Sequence, residues 1–247
     1  MGPLMRYETI EEVITDLEKR PIETGGNIYH PIPFPEFHHL KTSSNKTEVY
    51  KKWNMIEKCL REYISCDFKG LNVLDVGANG GFYTFKLAQE GAKVVSFEPH
   101  TRYGPIGEYL VRHSNLDVAW FSRSFDFKVI QNKEFDVAIL LSVFQWMAEG
   151  GVKMKEATKA LNDISSICKY MIFELGYNKG KSHIKTNKLN HYAELIRFLK
   201  NSTHYRYFKL LGSTKLWKTG RRYLILCSND EHTNDTLLMQ LLRNIKV

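Results

Sequence analysis

The chain has 247 residues, 43% of them apolar and 13% aromatic, and carries a formal net charge of +8. That is too hydrophobic for a disordered tail, and the length suits a single α/β domain. No apolar run approaches the roughly 20 residues of a membrane helix; the best, Val137 to Phe144, is only strand-sized.

Met1-Gly2-Pro3-Leu4-Met5 reads as an appended leader before a native Met5, and Arg6 does not fit a myristoylation signal. Arg6, Glu8, Glu11 and Glu12 interrupt any secretory signal, so a cytoplasmic location is expected. A short amphipathic helix is predicted over 9–19: Thr9 and Glu12 make a capping box, and Ile10, Val13, Ile14 and Leu17 share a face. Residues 21–45 hold four of the seven prolines (Pro21, Pro31, Pro33, Pro35) and Gly25-Gly26, with Tyr29, Phe34 and Phe37 interspersed. Such a loop is either an arm clamped on the domain or a lid over a site. A helix over 46–65 follows, with Val49, Trp53, Ile56, Leu60 and Tyr63 in one stripe. Residues 1–66 are therefore expected to form a helical arm, and 67–247 the main domain.

From there the pattern alternates. Strands are predicted over 71–76, 93–97, 116–121, 135–141 and 170–175, with helices over 81–90, 103–113, 150–167 and 189–200. Short apolar strands separated by helices mean a parallel sheet covered on both faces. Two closing strands, over 205–211 and 221–227, lie close enough in sequence for an antiparallel pair, and a last helix is expected over 233–244. Cys59, Cys66, Cys168 and Cys227 form no CxxC pair and read as buried, reduced thiols, Cys59 and Cys66 sharing one helix face. Between Lys179 and Arg222 stand twelve Lys or Arg and one acid, Glu194, a local charge of +11, so the rest of the chain sums to −3. This is either a solvated basic surface or a face that attracts an anionic partner.

The most informative run is Val73-Leu74-Asp75-Val76-Gly77-Ala78-Asn79-Gly80-Gly81-Phe82-Tyr83, a strand ending in an acid, a glycine turn and a helix start. In a doubly wound sheet this is the crevice where ligands bind. Glu98 ends the next strand, 21 residues after Gly77, where a carboxylate can accept hydrogen bonds from both ribose hydroxyls of a nucleoside. A dinucleotide loop needs G-x-G-x-x-G so that the backbone can approach a pyrophosphate, and Asn79 occupies the second glycine's place. The turn therefore suits a nucleoside without phosphates, such as S-adenosylmethionine: Asp75 and the loop backbone for the amino-acid part, Glu98 for the ribose.

VLDVGANGGFYTFKLAQEGAKVVSFEP resembles motifs I and II of class I S-adenosylmethionine-dependent methyltransferases, over residues 71–99. The resemblance implies a Rossmann-like seven-stranded sheet of order 3-2-1-4-5-7-6, strand 7 antiparallel, with helices on both faces. It also implies cofactor contacts from Asp75, Gly77, Asn79, Gly81 and Glu98, with their neighbours Ala78, Phe82, Tyr83 and Pro99, and from Ser142 after strand four. Ser124 and Phe125, after strand three, would flank the adenine, although the family's usual acid is absent there. GANGGFYTF with SFEP is similar to the FkbM-type sugar O-methyltransferases, whose Lys-x-Asp-x-Glu-Gly stretch is missing. Leu141-Ser142-Val143-Phe144-Gln145-Trp146, Phe173-Glu174-Leu175-Gly176, Lys52-Trp53, Leu211-Gly212 and Arg221-Arg222 look more like two other groups. These are the O-antigen chain-terminating methyltransferases and RNA methyltransferases that modify a 5′-terminal phosphate. Their shared theme is an anionic acceptor.

Methyl transfer from a sulfonium is an in-line displacement that needs alignment of acceptor, methyl and sulfur. A hydroxyl acceptor generally also wants a base, whereas a phosphate or carboxylate arrives ionised and needs cations, preferably forked Arg donors. Glu174, after strand five, is the candidate for acceptor positioning or proton removal, against a structural cap or salt bridge. His183 is the second catalytic candidate, against a plain surface histidine. Gln145, Trp146, Lys181, Arg221, Arg222 and Tyr29 are acceptor-side candidates; Trp146 could equally be core, and only one of the two arginines should face the pocket. His100 should sit on the ribose side, and His30, His38 and His39 lack ligand-spaced partners, so no metal is expected. The leading function is O-methylation of an anionic sugar, nucleotide sugar or glycan phosphate. RNA methylation and a non-catalytic cofactor-binding scaffold are the alternatives.

Overall fold

A computed structural model describes residues 7–22, 25–176, 184, 191–216 and 220–231. The helix expected over 233–244, and with it Lys181 and His183, lies outside the described residues. Seven strands form one sheet of order β3-β2-β1-β4-β5-β7-β6: β1 Asn72–Val76, β2 Lys93–Phe97, β3 Val118–Phe121, β4 Phe135–Leu141, β5 Cys168–Glu174, β6 Tyr207–Leu216 and β7 Gly220–Ser228. β7 runs antiparallel to both β5 and β6, as the closing pair predicts. No helix among the described residues is long and apolar enough to cross a membrane. The chain divides into two compact units, residues 1–57 with 65–126 and residues 58–64 with 127–247.

In the first unit β1, β2 and β3 pair in parallel, with Val73 opposite Val94 and Val95 opposite Ala119. α3 (Phe82–Gln89) and α4 (Tyr103–His113) cover one face of these strands, where Trp120 of β3 stacks on Phe85 of α3 and lies against Gly107 of α4. At the N-terminus, α1 (Ile10–Lys19) starts on a complete capping box: Thr9 Oγ1 accepts the Glu12 N–H at 3.2 Å, and Glu12 Oε2 accepts the Thr9 N–H at 3.4 Å. Val13 and Leu17 are its buried face. Residues 25–45 run as an irregular arm whose Ile28, Ile32, Phe37 and Leu40 are buried. The Phe34 ring meets Phe85 of α3 edge-on at 5.2 Å. Arg102, buried just ahead of α4, donates through Nη2 to the carbonyls of Leu17 (3.1 Å) and Asn27 (2.8 Å), and Arg112 donates to that of Tyr7 at 2.9 Å. The arm is thus packed onto α3 and α4.

In the second unit β4 and β5 pair in parallel, flanked by α6 (Met154–Ile167) and α7 (Tyr192–Ser202). The helix predicted over 150–167 starts later because Gly150 and Gly151 hold positive φ values of 66° and 98°, which a helix does not accept. In the space before it a single-turn α5 (Phe144–Met147) forms. The closing strands are longer than predicted, with a register shift between Leu210 and Gly212 where an extra residue is absorbed. α2 (Lys46–Tyr63) ends before Cys66, so Cys66 does not share a helix face with Cys59. Cys66 is exposed, which corrects its assignment to the core, while Cys59, Cys168 and Cys227 are buried thiols.

Candidate functional site: a glycine turn and a buried polar cluster

The turn after β1 reverses sharply into α3 through three left-handed residues, Gly77 (φ 83°), Asn79 (φ 53°) and Gly81 (φ 82°). The N–H groups of Gly77 and Ala78 both donate to the Phe97 carbonyl, at 2.9 and 3.2 Å, which ties the turn to the end of β2. Gly81 is required twice over, because its φ disfavours a side chain and a Cβ would fall on the Phe85 ring. Glu98 is only 6% exposed. Its Oε2 accepts the Asn79 N–H at 2.6 Å and its Oε1 the His100 N–H at 2.8 Å. Burial pushes the carboxyl up, and those two N–H groups with the nearby His100 pull it back towards the ionised form.

Asp75 lies deeper, accepting a 2.6 Å hydrogen bond from Thr84 Oγ1, which also lies 2.8 Å from Ser96 Oγ. Burial drives the Asp75 carboxyl up to about 7; the Thr84 bond opposes this and the charge of Glu98 adds to it. Among the described residues no cationic side chain contributes to that balance. Thr84 and Ser96 escape a sequence reading. Their one signal is a polar residue in the otherwise apolar FYTF run.

Of the other cofactor-side residues, Ala78 and Tyr83 are nearly buried, and the Tyr83 ring meets His30 of the arm edge-on at 6.1 Å. Phe82 is fully buried and packs against Tyr50 and Tyr83, so its ring presents no surface to a ligand. Pro99 and Ser124 are exposed, and Phe125 is half-buried with its ring 5.4 Å from that of Phe97. Tyr29 is 38% exposed, and its N–H donates to the Tyr103 hydroxyl at 3.0 Å. Ile32 of the arm lies 3.4 Å from where a Gly80 Cβ would stand.

The second unit gathers a different set at the carboxyl ends of β4 and β5. Glu174 has no exposed surface. Its Oε1 accepts from Ser142 Oγ at 2.5 Å and its Oε2 from Thr214 Oγ1 at 3.3 Å, and Arg222 Nη1 lies 3.9 Å from Oε1. Ser142 holds φ 57° although it is not glycine, and its N–H donates to the Glu174 carbonyl at 2.8 Å. Its own carbonyl accepts from Gln145 Nε2 at 2.6 Å, and Gln145 Oε1 accepts the Gly176 N–H at 3.2 Å. A Cβ on Gly176 would fall on the Gln145 amide and 2.8 Å from Ser142 Cβ, so this glycine is what lets the ring close. Gln145 is thereby a buried structural link. Trp146, beside it, is 61% exposed and not core. Strand alternation separates the two arginines as predicted: Arg222, opposite Thr214, reaches Glu174, whereas the exposed Arg221 donates to Ser213 Oγ at 3.1 Å. Thr214 and Gly176 are the cluster members that sequence reasoning missed. Among the described residues no group of His, Cys, Asp and Glu has the makings of a metal site.

Strand order, the antiparallel β7 and the glycine turn at the end of β1 define the fold of the class I S-adenosylmethionine-dependent methyltransferases. No family model matches the chain. Over 113 residues, 40% of the chain, it is 25% identical to the ubiquinone biosynthesis O-methyltransferase of Roseobacter denitrificans, and the aligned stretch spans 46% of that enzyme. Among solved structures, WbdD superposes with a TM-score of 0.62 at 19% identity, covering 88% of this chain and 47% of WbdD. The N-terminal domain of EvdMO1, crystallised in the presence of SAH and D-fucose, gives a TM-score of 0.57 at 13% identity, covering 92% of this chain and 99% of that domain. The chain thus spans about half the length of the curated relative and of WbdD.

Proposed function

We propose that the chain is an S-adenosylmethionine-dependent O-methyltransferase acting on an anionic sugar, nucleotide sugar or glycan phosphate. The observation that carries the donor half is Glu98, a buried carboxylate beside the glycine turn whose oxygens each take one backbone N–H and retain lone-pair capacity for ribose hydroxyls. Two further features fit that cofactor. Asp75 is a buried carboxyl with no cationic side chain among the described residues to offset it, which suits the ammonium of an amino-acid ligand. The Oδ1 of Asn79, in the turn, is buried and has no partner among the described residues.

Asp75, Gly77, Asn79 and Gly81 would hold the amino-acid part, Glu98 the ribose, and the arm around Tyr29 and Ile32 would border the turn. When bound, the cofactor supplies a methyl group on a positively charged sulfur. The protein's own contribution is alignment and exclusion of water, and an ionised acceptor requires no base. The basic stretch between Lys179 and Arg222 favours such an acceptor over a neutral one. The names of the relatives agree with this reading: an O-methyltransferase and a domain crystallised with a sugar.

The test is a methyl-transfer screen with labelled cofactor over nucleotide sugars, glycan phosphates and short RNAs. Label on the sugar phosphates, weakly dependent on salt, is expected. Label on RNA alone, with activity falling steeply as salt rises, would replace this acceptor assignment with a polyanion.

A further inference from the structure

We propose that Arg222 is the anion-recognising side chain of the acceptor site, and that Glu174 is a positioning residue that fixes its guanidinium rather than a proton acceptor. The inference rests on the anionic-acceptor reading and names the residue that confers it.

Glu174 cannot meet an acceptor as it stands, because none of its surface is exposed. Its oxygens are occupied by two hydroxyl donors, Ser142 at 2.5 Å and Thr214 at 3.3 Å, with a guanidinium beside them. With both oxygens engaged inside the protein, the side chain is placed as an anchor for its neighbours. Its surroundings are rigid, since Ser142 is fixed at its N–H, carbonyl and hydroxyl while holding a left-handed φ. Strain of this kind persists only where neighbouring contacts over-determine the backbone.

Arg222 is the opposite case. Its side chain is 18% exposed, its Nη1 stands at the long distance of 3.9 Å from Glu174, and its buried Nε has no partner among the described residues. A guanidinium offers five N–H donors in a planar fork that matches phosphate and carboxylate oxygens. Here Nη1 is steered by Glu174, and Nε has no partner among the described residues. A buried donor without an acceptor is unfavourable, and an oxyanion held by this guanidinium would relieve it. The neighbouring Arg221 points to the other face and is bound to Ser213, so the second arginine does not substitute for the first.

The full chain, saturated with S-adenosylhomocysteine, is titrated calorimetrically with inorganic phosphate. Saturable binding is expected for the native protein, weakened by about tenfold or more in Arg222→Met. Arg222→Lys, which keeps the charge without the fork, should recover only part of that loss. Glu174→Gln gives the sign that separates positioning from simple electrostatics. Deleting a negative charge beside an anion site should tighten phosphate if Coulomb forces alone mattered, whereas loss of the tether should weaken it. Equal phosphate affinity in Arg222→Met and the native protein, or tighter phosphate in Glu174→Gln, would overturn the proposal. Thr214→Val gives an independent check on the tether should Glu174→Gln fail to fold, and it too should weaken phosphate. Unchanged S-adenosylhomocysteine affinity in every variant reports that the donor half is intact. Failure of the native protein to bind S-adenosylhomocysteine would count against the methyltransferase reading and not against the arginine.

Discussion

The two carboxylates, Glu98 and Glu174, are held in contrasting ways. Glu98 is fixed by the main chain, through N–H groups at residues 79 and 100. Glu174 is fixed by side chains, from Ser142, Thr214 and Arg222, spread over 81 positions of sequence between the first and last. A site fixed by backbone depends on which residues lack a Cβ and tolerates exchange of the others. A site fixed by side chains fails when any one donor is removed. The donor half is therefore robust to most substitutions and rigid about glycine, and the polar cluster is the reverse.

The most damaging change to the first region should be Gly81→Val, because a β-branched residue at φ 82° must also displace the Phe85 ring. We expect a loss of about 3 kcal/mol or more in denaturant unfolding, with no calorimetric binding of S-adenosylhomocysteine. Glu98→Ala should leave the fold standing and weaken that ligand by about 100-fold, the scale of two charge-assisted hydrogen bonds. Asn79→Ala, which retains the backbone N–H, should stay within about tenfold of the native affinity, as the contrast between the regions demands. In the second region Gly176→Ala should cost about 1–3 kcal/mol by driving a methyl group into Gln145, without changing S-adenosylhomocysteine affinity.

A further effect depends on pH. Asp75 titrates at about 7 in the folded chain, against about 4 when unfolded. A raised folded value gives a contribution that is fully present below the unfolded value and is lost as pH rises through the folded one. Asp75→Asn removes this dependence. The variant should unfold at a higher temperature than the native protein at pH 8, and the difference should vanish near pH 4. A constant offset across that range would show that Asp75 ionises as it does in the unfolded chain.

This contrast also explains what could be read in advance. β1, the turn, α3 and β2 are contiguous, so Asp75, Gly77, Gly81 and Glu98 appear in the sequence at fixed spacing; alternation of apolar strands with amphipathic helices yields a parallel sheet, and its strand order follows from the family resemblance. The partners of Glu174 obey no spacing rule. Thr214 reaches it only because β6 pairs with β7 in a register that sets Thr214 opposite Arg222, and that register includes a shift at Leu210 that no pattern announces. Gly176 has no local signal of its role, which is defined by Gln145, 31 residues earlier. Trp146 was undecided because α5 is one turn long, too short for a periodicity to assign its face.

Arg102 carries a practical consequence for anyone shortening this polypeptide. Its guanidinium is sunk at 8% exposure and finds its acceptors in the carbonyls of Leu17 and Asn27. Trimming the chain ahead of residue 46 would strip both acceptors from a charge that water cannot easily reach, and would bare the Phe85 ring that Phe34 covers. A shortened version would save fewer than fifty residues and become prone to precipitation, so crystallisation trials are better served by keeping the strap and altering surface lysines instead.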